Sequence, residues 1–338
     1  MQKDSFNDAL LGFLDASPTP YHAVANMAGM LENAGFVQLD ETDDWNLQKG
    51  NKYYVTRNDS SIIAFTYPED DNYIMLGAHT DSPNLKLKPN PVVEKHGMVQ
   101  FGVQTYGGLL MNPWFDRDLS LAGRVAYLDS EGTIQETLID MVDPIAVIPS
   151  LAIHLDKEAN TERTVNPQTD LVPIVGAKEG FDFDAWILEA LKQQGIENAT
   201  KLLSHELSLY DTQNAMMVGI DKEFIASARL DNLLSCYTAL LTICSVDDTK
   251  PYLMLCSDHE EVGSESTSGA AGPFLENVLR RMKTDYEPFT KMLQRSIMIS
   301  CDNAHAVHPN YSDKHDPQHA PQINKGVVIK INANQRYA

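Results

Sequence analysis

Two neighbouring glutamates, Glu260 and Glu261, lie in the stretch Cys256-Ser257-Asp258-His259-Glu260-Glu261-Val262-Gly263-Ser264, directly after an apolar run. Adjacent side chains leave a chain in different directions. One carboxylate can therefore hold a metal ion while the other stays free as a base, the division of labour a metal-assisted hydrolase needs. A second group, His79-Thr80-Asp81-Ser82-Pro83, also follows an apolar run. A His-x-Asp pair offers an imidazole ligand together with a carboxylate that fixes which ring nitrogen faces the ion. Asp231, in Arg229-Leu230-Asp231-Asn232, stands where strand character gives way to an apolar helical face, and Asp302 opens Asp302-Asn303-Ala304-His305 after a further apolar run. Each item alone has a plainer explanation: a solvated acidic edge for the glutamates, a core histidine for His79, a helix cap for Asp231. Together they are nitrogen and oxygen donors at matching positions. Such a mixture suits zinc first, and also cobalt or manganese, with no thiolate required. One carboxylate shared between two ions, with the other donors outside, builds a two-metal hydrolytic site with ions roughly 3.5–4 Å apart.

These groups must be carried by strand ends, because ligands in open α/β sheets collect beyond the carboxyl ends of strands. The pattern predicts buried strands over 73–78, 252–255 and 296–300, each ending beside one of the candidate groups. Earlier in the chain it predicts an amphipathic first helix, a second helix over 21–33 begun by Ser17-Pro18-Thr19-Pro20, and strands over 50–57 and 61–67. From about residue 86 to 209 short β-type runs alternate with Gly, Pro and Asp turns, around one helix over 183–194. The run Ile148-Pro149-Ser150-Leu151-Ala152-Ile153-His154-Leu155 carries a lone histidine, and 160–170 reads as a loop. A helix is expected over 276–291 and a last strand over 326–332. The fold class expected is therefore α/β: a central mixed sheet flanked by helices, interrupted by a β-rich insertion. The boundaries are 1–85 for the first part of the catalytic domain, 86–222 for the insertion, and 223–338 for the second part.

A formal charge of −21 over 338 residues excludes nucleic acid and anionic membrane surfaces as natural partners, since both need clustered Lys and Arg. No apolar stretch approaches a membrane span, and Met1 to Phe6 lacks the character of a secretory signal. Cys236, Cys244, Cys256 and Cys301 sit in apolar contexts without a Cys-x-x-Cys pair, as free thiols do in a reducing compartment. A cytoplasmic location is expected. No Gly-x-Ser-x-Gly elbow and no phosphate-binding Gly-rich loop is present.

The chain resembles the aspartyl aminopeptidases of the di-zinc exopeptidase clan. The resemblance runs through His79-Thr80-Asp81-Ser82-Pro83, Trp114-Phe115-Asp116-Arg117-Asp118-Leu119, the run ending in His154-Leu155, Arg229-Leu230-Asp231-Asn232, Asp258-His259-Glu260-Glu261-Val262-Gly263-Ser264, Asp302-Asn303-Ala304-His305 and Gln335-Arg336-Tyr337-Ala338. It implies a pair of divalent ions, with His79 and Glu261 as terminal ligands of different ions, Asp302 as a further ligand and Asp231 as the bridge. It implies Glu260 as general base and Asp81 as the carboxylate orienting His79. His154, His305, Lys330 and Tyr337 match positions that touch substrate, a peptide with an acidic N-terminus, and Lys330 is the candidate cation for its side chain. The insertion is expected to build a dimer, and dimers a tetrahedral dodecamer in which His154 reaches a neighbouring site. The family pattern also holds one more ligand histidine beyond position 338. The expectation is a metalloaminopeptidase, against the alternative of a catalytically impaired subunit of the same fold.

Overall fold

The computed structural model describes residues 3–177, 180–247, 249–331 and 333. Its first sheet has six strands in the order Val37–Gln38, Asn51–Arg57, Ser61–Tyr67, Tyr252–Ser257, Ile74–His79, Ile297–Ser300. Ile74–His79 lies between two parallel neighbours, with Ser257 opposite His79 on one side and Ser300 opposite Gly77 on the other. That register decides the position of the chemistry. Three parallel strands in step release His79, the segment from Asp258 to Glu261, and Asp302 along a single sheet edge.

Alternation along Tyr252–Ser257 shows how the sheet is held. Met254 and Cys256 face one layer, with Leu10, Leu14, Val24, Met27 and Leu240. Leu253 and Leu255 face the other, with Phe274, Val278, Phe289 and Met292. Side chains on a strand point alternately to its two faces, so a strand covered by helices on both sides reads as a continuous apolar run. The helices Lys3–Asp15, Pro20–Asn33 and Leu230–Ser245 supply the first layer; Phe274–Met282 and Tyr286–Arg295 supply the second.

A second six-stranded sheet is built from residues 84–211 in the order Ile134–Asp140, Leu119–Asp129, Ala199–Asp211, Asn84–Lys95, Met98–Tyr106, Ile174–Gly176. All its pairings are antiparallel. The helix Phe183–Gln193, capped by Asp182 accepting from the Ala185 amide, packs Phe183, Ile187 and Leu191 onto it.

Three expectations need correction. The helix expected over 276–291 is two helices, Phe274–Met282 and Tyr286–Arg295, broken at Lys283–Asp285. Pro288 explains the break: it lacks an amide hydrogen and is tolerated only in a first turn, which the second helix gives it. The strand over 296–300 is observed as Ile297–Ser300 but is exposed along its length, because it sits at the sheet edge and, among the described residues, pairs only with Ile74–His79. The strand expected over 326–332 does not form within 326–331, where Val327, Ile329 and Ile331 stand in solvent. A strand needs a neighbour for its amides and carbonyls, and among the described residues no strand pairs there; Asn332 lies outside the described residues.

Leu240 has no exposed surface in the first core layer. Leu240→Ala is expected to cost about 2–5 kcal/mol of unfolding free energy in urea titration, whereas Leu293→Ala, at a partly exposed helix position, should cost far less.

Candidate metal centre

His79 is buried at the end of its strand, and its ring is gripped from behind. Nδ1 lies 3.1 Å from the Asp81 carbonyl oxygen and 3.3 Å from Asp81 Oδ1. A proton on Nδ1 satisfies those acceptors and turns the Nε2 lone pair outward. Nε2 faces Asp231 Oδ1 at 3.4 Å, Glu260 Oε2 at 3.8 Å and Asp302 Oδ1 at 3.8 Å.

The carboxylates are set by backbone anchors. Asp81, fully buried, accepts the Glu260 amide on Oδ1 and the Glu261 amide on Oδ2, both at 3.1 Å. The two glutamates form one turn of 3-10 helix, entered through His259 in the left-handed region (φ 66°). His259 Nδ1 shares a hydrogen bond with Ser266 Oγ at 2.7 Å, which closes the loop behind them. Asp231 and Asn232 lie at the start of Leu230–Ser245 with non-helical backbone angles. The Ser82 hydroxyl donates to the Asp231 carbonyl at 2.6 Å, and Asn232 Nδ2 donates to the Cys301 carbonyl at 2.8 Å, tying this loop to the one that carries Asp302. The helix-cap explanation of Asp231 therefore fails: its carboxylate faces His79 rather than the helix amides.

The electrostatics follow from this crowding. Burial would pull the His79 pKa down, but the carboxylates of Asp231 and Asp81 dominate and push it up to about 10. Burial, then the Asp81 charge, pushes Glu261 up to about 7, and burial likewise raises Glu260. Asp231 is held low, first by His79 and in part by the nearby imidazole of His305. Burial works to raise Asp81 as well, but the hydrogen bonds from His79 and Tyr106 outweigh it and keep it low. Asp258, adjacent and buried, is raised by burial.

The donors fit a metal. His79 with Glu260 and Glu261, and His79 with Asp231 and Asp302, each offer ligand atoms within 4.8 Å of one another. Asp231 Oδ1 is shut off from solvent and makes no hydrogen bond. Lone pairs of an imidazole and several carboxylates aimed at one point repel unless a proton or a cation stands between them.

The structure thus brings His79, Asp81, Asp231, Glu260, Glu261 and Asp302 together. It leaves His154 and Lys330 exposed, outside any helix or strand, and Tyr337 falls outside the described residues. His305 is exposed on the loop beyond Asp302. Tyr106, whose hydroxyl donates to Asp81 Oδ2 at 2.7 Å, is absent from the candidates read in the sequence. No local signal marks it, since its partner is 25 residues away along the chain.

An α/β sheet that gathers an imidazole and several carboxylates at parallel strand ends is the architecture of a metal-dependent hydrolase. Residues 13–338 match the family model described as aminopeptidase I zinc metalloprotease (M18). A probable M18 family aminopeptidase 2 of Ectopseudomonas mendocina is 51% identical over 99% of this chain and 80% of its own length. Among solved structures, that of the Ape4 and Nbr1 complex superposes with a TM-score of 0.91 at 37% identity, covering 98% of this chain and 70% of that one. The S. cerevisiae mApe1 dodecamer superposes at 0.82 with 26% identity, covering 95% and 76%. The chain belongs to the M18 family of zinc aminopeptidases, and its fold is the di-zinc exopeptidase-like fold of those structures.

Protons held by His79 and Glu261 must leave before a cation can enter. Zinc affinity, measured by competition with a chromophoric chelator, is therefore expected to rise with pH from about 6 towards 10, more steeply below about 7 where both groups hold protons, with protons released to the buffer on binding.

Proposed function

We propose that the chain removes acidic residues, Asp and Glu, from the N-termini of peptides, with a pair of divalent ions, zinc first, held by His79, Asp231, Glu261 and Asp302. The observation that carries this reading is the hold of Asp81 on both glutamate amides and on His79 at once, which puts Glu260 Oε2 beside the face that His79 turns outward. When bound, such ions would lower the pKa of water towards neutrality and polarise the carbonyl it attacks.

Glu260 is the general base. Its carboxylate is raised by burial and by neighbouring charge, and a base works best when its pKa approaches the working pH. It takes a proton from the attacking water and returns it to the departing amine. Asp81 keeps His79 in the tautomer with Nδ1 protonated, so that Nε2 is free to donate its lone pair. His305, close enough to Asp231 to lower its pKa, and His154 are substrate contacts in this reading, and Tyr337, outside the described residues, is proposed as a third.

Preference for acidic N-termini needs a cation, and Lys330 is our candidate. With a net charge of −21, long-range attraction of an acidic peptide is excluded, so the contact must be local. The segment 86–222 would form a dimer contact, and assembly into a dodecamer is supported by the mApe1 relative. His154, exposed on its loop, would then reach a neighbouring site. A cytoplasmic location agrees with four free cysteines, and no helix among the described residues is long and apolar enough to cross a membrane.

Glu260→Gln is expected to retain zinc yet lose about 10²–10⁴-fold in kcat; full turnover in that variant would place the base elsewhere. Lys330→Ala should lower kcat/KM for Asp- and Glu-initiated peptides by at least tenfold while sparing Leu-initiated ones, with about 1.4 kcal/mol per tenfold step. Equal losses on both substrate classes would remove Lys330 from specificity.

A further inference from the structure

The second sheet reaches back into the centre at one corner. The chain leaves His79, passes Asp81 and enters that sheet at Asn84; the next strand returns antiparallel and ends at Tyr106, directly opposite Asn84. At that corner Tyr106 donates its hydroxyl to Asp81 Oδ2 at 2.7 Å, shorter than either glutamate amide bond to the same carboxylate. Gly107 follows with φ +72°, and a Cβ placed there would lie 2.9 Å from Glu261 Cβ and 3.3 Å from Glu261 Oε2. The backbone at Gly107 therefore lies flat against Glu261, an approach open only to glycine.

Resting on the metal reading given above, we propose that Tyr106 and Gly107 are positioning residues for the metal centre, through which the second sheet fixes the aim of His79 and Glu261. Tyr106 acts on His79 through Asp81. Without its hydroxyl, a buried carboxylate oxygen keeps only the Glu261 amide, and Asp81 is free to turn away from the imidazole. Gly107 acts on Glu261 directly, as a wall that confines the start of its side chain. Neither residue touches substrate or metal, so neither is catalytic.

Zinc titration of the full chain against a competing chelator tests this. Tyr106→Phe is expected to weaken zinc binding by about tenfold, the lower end of the range for residues that orient a ligand, while the metal-free protein still unfolds cooperatively at a somewhat lower thermal midpoint, since one bond to a buried carboxylate is lost. Asp81→Asn should weaken binding at least as much, and adding Tyr106→Phe to it should cost nothing further, because both act through one carboxylate. Zinc held equally by Tyr106→Phe and the unsubstituted chain, or losses that multiply in the double variant, would overturn the inference and leave the metal reading standing. An unsubstituted chain that takes no zinc would overturn both.

Discussion

A carboxylate without solvent access governs the centre. Asp81 has no exposed surface, and a buried charge is tolerated only when hydrogen bonds replace its water. Here the replacements come from three separate parts of the chain: the His79 ring two residues earlier, the Glu260 and Glu261 amides from the loop after a neighbouring strand, and the Tyr106 hydroxyl from the second sheet. Each donor is also something the site must hold still. The same bonds that make burial of Asp81 possible therefore fix the imidazole tautomer, the turn carrying both glutamates, and the corner where the two sheets meet.

The second constraint is repulsion. Asp231, Glu260 and Asp302 face one histidine nitrogen with Glu261 close by, and without a cation the protein answers by holding protons, on His79 with a pKa of about 10 and on Glu261 with one of about 7. The signs differ between the groups. Glu261, raised above its unfolded value, contributes stability at low pH that is lost as pH climbs through about 7. Asp81, held below its unfolded value, contributes stability that is lost only on acidification. Near neutrality the metal-free fold thus carries a cluster of negative charge that the His79 proton offsets only in part, and a divalent cation held there would offset the rest. Metal affinity and fold stability are coupled through the same oxygens.

Much of this was legible in the sequence because the informative strands are buried on both faces. Continuous apolar runs marked the strands before His79 and Glu260, and parallel register put their ends on one edge. Asp302 was found on the same logic, although its strand lies exposed at the sheet border, because β-branched and apolar side chains there report strand geometry rather than burial. What could not be read depends on partners remote in sequence. Tyr106 looks like any strand-terminal tyrosine until the hairpin from Asn84 returns it to Asp81. The stretch 326–331 has strand composition without a strand beside it among the described residues, and Lys283–Asp285 interrupts a helix whose apolar spacing continues across the gap.

The placement of the second sheet bears on how the fold keeps its chemistry accurate. A ligand on a loop is held only as well as the elements behind the loop, and errors of an ångström are costly in catalysis. The loop from Asp258 to Ser266 is anchored by His259 on Ser266 and by Asp81, but Asp81 itself follows a strand end by only two residues. Its remaining support must come from outside the first sheet, and Tyr106 provides it. The antiparallel sheet is thus more than a surface added between two halves of an α/β fold: its first hairpin is the outer wall of the centre, and a distortion of that hairpin would be felt at His79 and Glu261 before it was felt in either hydrophobic core.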